Sequence, residues 1–147
     1  MAEWSEPIYD RTQADVDYAK SQLGEKINDV DLKGSLNAND FNRIESNTRY
    51  LADLLIKLYY FNNITTFTEW NMTTIPFLSH INRIINNINV LWGKYHKPPD
   101  ATDLPNSLIA FEQVNNIERN LHLIKEMLDD MISSFRECNT FECGEER

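Results

Sequence analysis

The stretch FNRIESN, residues 41–47, sets a puzzle for any helical reading, because it places two asparagines beside apolar residues. Asn is a mediocre helix former, since its amide competes for nearby backbone groups. The stretch is nevertheless one of three. FNRIESNTRYL from Phe41 aligns without gaps with INRIINNINVL from Ile81 and VNNIERNLHLI from Val114, at spacings of 40 and 33 residues. The shared pattern is apolar-Asn-[Arg/Asn]-Ile-x-x-Asn-x-x-x-[Leu/Ile]. Such spacings are in the range of helical supersecondary repeats.

Apolar residues around each copy recur in alternating steps of three and four. They are Phe41, Ile44, Leu51, Leu55 and Leu58 in the first copy, with Thr48 in the slot between. In the second they are Ile81, Ile84, Ile88, Leu91 and Tyr95; in the third, Val114, Ile117, Leu121, Ile124, Leu128 and Met131. Each set forms one stripe on a helix, and three stripes can bury one another. Asn42, Asn82 and Asn115 fall about 100° to one side of the first apolar residue, and Asn47, Asn87 and Asn120 about 120° to the other. Amides at such borders are placed to bond a neighbouring helix, a loop backbone or a partner protein. The residues singled out for partner contact are Asn47, Asn87 and Asn120, together with Trp4, Pro7, Ile8 and Tyr9 near the N-terminus.

Local signals bound the elements. Asn37 is a cap for the first long helix, Asp40 suits its positive end, and Leu36 is placed to staple onto Phe41. Thr12-Gln13-Ala14-Asp15 predicts a capping box on a shorter helix to about Leu23, with Val16, Ala19 and Leu23 inward. The second long helix is expected from near Thr74, with Pro76 in its first turn, to Tyr95. The third is expected from near Ala110 to about Phe135. Residues 24–36, 62–73 and 96–109 read as linkers, the middle one anchored by Phe67 and Trp70. The expected architecture is all-α: an extended N-terminal arm (1–11), a helical bundle domain (12–135) and an irregular acidic C-terminal tail (136–147).

A chain of 147 residues with 41% hydrophobic and 11% aromatic content is one globular domain with a real core. Four Gly and five Pro are few for an all-β fold. The net charge of -9 is uneven: residues 32–99 hold four acids and seven bases, while the flanks hold nineteen acids and seven bases. This argues against a nucleic-acid partner, which needs a concentrated positive face. The most apolar stretch, LLIKLYYF, is far short of a membrane span. MAEWSEPIYD lacks the basic start and apolar core of a signal peptide, so synthesis in a cytosol is expected.

No catalytic constellation is written in the chain. His80, His96 and His122 make no metal-ligand spacing, the glycines stand alone, and no G-x-S-x-G elbow occurs. No enzyme activity, cofactor or metal is therefore expected. Cys138 and Cys143 cannot fill a four-coordinate site by themselves; free thiols, a redox bond and a metal shared between subunits stay open. Trp4, Pro7, Ile8 and Tyr9 form an apolar arm that must pack on something, either its own bundle or another subunit.

The stretch WSEPIYDRTQADVD, followed by LNANDFNRIESNTRYL, resembles small structural proteins encoded in tail modules of phages and prophages of Gram-positive bacteria. LPNSL before VNNIERNL, and the closing SSFRECNTFECGE, are similar too. The resemblance spans most of the chain. It implies a virion tail or baseplate component, or the attachment module of a fibre, made in the bacterial host cytoplasm. The partners it implies are other tail proteins and further copies of the chain. Some chains that resemble this one continue past the closing G-E, so with Arg147 last an adaptor is expected rather than a fibre. The alternative is a non-virion protein, a tail-assembly chaperone or host-takeover factor.

Overall fold

In a computed structural model, residues 2–22, 33–71, 73–107 and 110–140 are described, with side chains to Arg136. They form four α-helices and no strand: α1 (Gln13–Ser21), α2 (Ala38–Lys57), α3 (Leu78–Lys94) and α4 (Phe111–Thr140). The fold is all-α, as the periodicity requires.

Capping explains where the first two helices begin. Thr12 and Asp15 form the reciprocal box that starts α1, and Asn37 and Asp40 do the same for α2. The Thr12 backbone N–H, with its hydroxyl, holds the Asp15 carboxyl below its ordinary range. Val16 is half-buried and Ala19 buried, while Leu23 lies outside the described residues. Leu36 remains partly exposed and Phe41 instead stacks on Trp70, with ring centroids 4.8 Å apart.

α3 starts four residues later than expected. A residue before proline is driven to extended backbone, so Ile75 cannot enter the helix and Pro76 stays outside it. The start falls at Phe77, whose N–H is accepted by His80 Nδ1 at 3.0 Å. At the other end of the chain, α4 continues to Thr140, five residues into the stretch expected to be irregular. Residues 141–147, with Cys143, lie outside the described residues.

The three long helices run parallel. Arg43 of α2 pairs with Glu118 of α4, and seven residues further on Lys125 of α4 lies 5.8 Å from the ring of Tyr50. Arg83 of α3 pairs with Glu45 of α2 near the start of both, and Tyr95 meets Tyr60 edge-on past their ends, at 4.9 Å. Short loops would force antiparallel neighbours. Here each connection returns the length of a helix: α2 has 20 residues and is about 30 Å long. At about 3.3 Å per residue, nine or ten extended residues suffice, and residues 58–77 and 95–110 exceed that.

The core lies between the stripes. Ile44, Leu51, Leu55, Ile84, Ile88, Leu91, Ile117, Leu121, Ile124 and Leu128 are all at most 2% exposed. Thr48, in the polar slot of the first stripe, is buried and donates its hydroxyl to the Ile44 carbonyl within its own helix.

Candidate functional site

Five of the six border asparagines, all but Asn82, bond neither sister helices nor a surface. They hold the extended segments that run back along the bundle. Ser5 N–H donates to Asn47 Oδ1 at 2.9 Å, and Asn47 Nδ2 returns a bond to the Ser5 carbonyl at 2.8 Å. The same two-way pairing joins Asn115 to Arg11 (3.2 and 3.0 Å), Asn42 to Trp70 (both 2.9 Å) and Asn120 to Thr102 (2.9 and 3.0 Å). Asn87 makes one such bond, to the Thr65 carbonyl at 2.7 Å. A primary amide has the donor and acceptor of a peptide group, so each clamp gives an extended residue the partner a β-strand would supply. The segments can then lie on a helical bundle without orphaned backbone groups.

A glutamate completes two of the clamps. Glu118, three residues after Asn115, accepts the Ile8 N–H; Glu45, three residues after Asn42, accepts the Phe67 N–H at 3.3 Å. The Arg at the third place of one repeat then pairs with the Glu at the fifth place of another: Arg43 with Glu118, and Arg83 with Glu45. The remaining combination would join Asn116 to Ile85, so both members are replaced together. The bundle is thus a cyclic triplication. An extended segment precedes each long helix, is gripped by that helix's second asparagine, and continues to the helix before it. Among the described residues of the third groove the Asn120 clamp alone is formed, and Asn82 is exposed.

The first groove is the most polar. Arg11 is 5% exposed and its Nη2 reaches Asp40 Oδ1 at 2.8 Å and Glu118 Oε1 at 3.1 Å, while Nε donates to the Lys33 carbonyl at 3.1 Å. Its Nη1 donates to the Ile8 carbonyl and to Asn115. Arg43 contacts the same two carboxylates. Burial opposes the charge on Arg43, but the bonds and charges of Glu118 and Asp40 outweigh it and raise the guanidinium pKa further. At Glu45 burial wins, and the carboxyl is pushed above its ordinary value despite Arg83 and the Phe67 N–H. Two arginines and two carboxylates balance. Such a cluster adds little net stability over an apolar one, but a shift of register would strand its charges at about 3–5 kcal/mol each. It therefore selects the parallel alignment.

No family model, no curated protein and no solved structure matches this chain.

The residues singled out for partner contact are placed as follows. Asn47, Asn87 and Asn120 are 0%, 6% and 0% exposed, and their amides are engaged by the chain's own backbone. Trp4 is half-buried, tilted against Tyr50 at 5.7 Å with Lys125 over its ring. Pro7 and Ile8 are half-buried in the same groove, and Tyr9 stays 39% exposed beside His122. The arm packs in cis. Of the linker anchors, Trp70 is buried and Phe67 lies edge-on to it. Sequence reasoning missed the roles of Arg11, Arg43, Glu45 and Glu118, and the ion pairs of Asp40 beyond its place at the helix start. The available signal was a Glu one place after the core Ile in the first and third repeats, where a solvated side chain would be free to vary.

Proposed function

We propose that this chain is a non-enzymatic structural subunit of a phage tail or baseplate, an adaptor joining other tail proteins and further copies of itself. One observation carries the reading. The stretches on which the likeness to tail-module proteins rests are the stretches that lock to one another. WSEPIYDRT supplies Ser5, Ile8 and Arg11; LNANDFNRIESN supplies Asp40, Arg43 and Asn47; VNNIERNL supplies Asn115 and Glu118. The likeness therefore falls on a device for rigidity. Its buried charged groups are committed to holding backbone, which suits a part that transmits position. The same commitment supports a role without turnover.

Mass spectrometry of purified particles tests the proposal. The chain is expected in the virion at a fixed ratio to other tail proteins. Its presence in lysates together with its absence from particles would refute the structural role and favour the tail-assembly chaperone or host-takeover reading.

A further inference from the structure

We infer that two copies of this chain meet tail to tail, the last turns of α4 on one copy crossing the ends of α2 and α3 on the other. The inference rests on the self-association in the reading above, and not on the phage assignment. Arg43 faces Glu118, so a residue of α2 lies level with the α4 residue 75 positions later; Lys57, at the end of α2, is level with Ile132. Arg83 faces Glu45, which puts Lys94, at the end of α3, level with Ile56. Residues 133–140 of α4 therefore continue past the ends of α2 and α3 for about 12 Å.

The apolar stripe of α4 does not stop where its cover does. Leu128 is buried, Met131 and Ile132 are half-buried, and Phe135, next in the alternation of three and four, is 58% exposed. At the same level, where the chain leaves α2, Tyr59 is 83% exposed and Phe61 67% exposed, with their rings 6.5 Å apart. Tyr59 has a φ of 67°, a left-handed conformation that favours glycine, and it turns a large aromatic ring outward. Three aromatic residues thus stand in the open around one end of the bundle.

Charge selects both the occupant and its direction. The last part of α4 carries Glu126, Asp129 and Asp130, and the negative end of the helix dipole adds to them; its described bases are Lys125, which pairs with Asp129 at 2.5 Å, and Arg136. The ends of α2 and α3 carry Lys57 and Lys94, and Lys97 follows three residues later with its ammonium 4.7 Å from the Trp92 ring. Two copies side by side in parallel would align acid with acid. Tail to tail, the acids of each copy lie over the lysines of the other, and each Phe135 reaches the other's Tyr59 and Phe61. Fully burying the three exposed aromatics removes about 400 Å² per copy, about 800 Å² for the pair. That is below the usual 1,200 Å² of a stable complex, so a dimer of micromolar strength is expected.

Sedimentation equilibrium of the full chain over about 1–100 μM brackets that strength. The wild type should dimerise within this range. Phe135→Asp should raise the dimer Kd at least about 30-fold, as loss of a central aromatic contact does, with an unchanged circular-dichroism melt for the monomer. Lys94→Glu should weaken the dimer, and the double variant K94E/D130K should restore it. A monomer at every concentration overturns the inference, whatever covers the stripe. So does a dimer indifferent to Phe135→Asp. A dimer that Phe135→Asp weakens but that charge exchange fails to restore overturns the tail-to-tail arrangement. Particle composition has no bearing on any of these outcomes.

Discussion

Replacing Asn47 by Asp changes the clamp by one atom and should convert it into a proton-dependent latch. Asn47 is 0% exposed; its Oδ1 accepts from Ser5 N–H at 2.9 Å and its Nδ2 donates to the Ser5 carbonyl at 2.8 Å. A protonated Asp reproduces both bonds, its hydroxyl donating where the amide nitrogen did. An ionised Asp keeps the first bond but sets a buried negative oxygen against the Ser5 carbonyl. Burial and that repulsion both raise the folded pKa above the unfolded value of about 3.9. A raised carboxyl leaves stability intact below the unfolded pKa and removes it as pH climbs to the folded pKa, at about 1.4 kcal/mol per unit. With a folded pKa near 7 the loss at neutral pH is about 4 kcal/mol. Release of the arm sets a ceiling on it, because the chain can lift Ser5 away instead of burying the charge. Urea unfolding of the variant and the wild type, compared at several pH values from 4 to 7.5, measures the gap. It should be small at the acid end and widen toward neutrality, with Trp4 fluorescence reporting arm release. A gap that is independent of pH would refute the peptide-mimic account of the clamp.

Other perturbations follow from the same geometry. Glu45→Gln should gain on the wild type as pH rises from about 4.5, because the raised pKa of Glu45 costs the wild type stability in that direction; paired denaturation curves check the sign. Gly34→Ala should loosen α1, since an added Cβ would fall 2.0 Å from the Asp15 carbonyl oxygen, a backbone atom that cannot step aside. A loss of about 1–3 kcal/mol or more, with faster amide exchange in α1, is expected. Leu121→Ala, at a site 0% exposed, should cost about 2–5 kcal/mol in thermal or urea unfolding. Tyr59→Gly should relieve left-handed strain and raise monomer stability by about 0.5–1 kcal/mol while weakening self-association; calorimetry and sedimentation separate the two.

Much of this architecture is local and therefore legible. The stripes around Ile44, Ile84 and Ile117 follow from period alone, and the Thr12 and Asn37 caps from four-residue patterns. The border position of the asparagines was also readable. Their partners were not, because a clamp bonds backbone and makes no demand on the residue it holds: Ser5, Arg11, Trp70 and Thr102 share no side-chain chemistry. Helix direction was equally hidden, since a stripe packs in either sense and only the pairing of Arg43 with Glu118 and of Arg83 with Glu45 chooses. The late start of α3 is legible in Pro76, which bars Ile75 from helical backbone.

The arm sets a schedule for synthesis. Ile8 is bonded to a residue 110 positions later, and Arg11 to one 107 positions later. At about 5–20 residues per second, a ribosome needs roughly 5–20 s to deliver α4 after the arm has emerged. Until then Trp4, Pro7 and Ile8 have only half a groove, and Arg11 lacks one of its carboxylates. Closure of the first groove thus waits on the C-terminal helix, so a chain cut before α4 lacks the Asn115 and Glu118 holds on its arm.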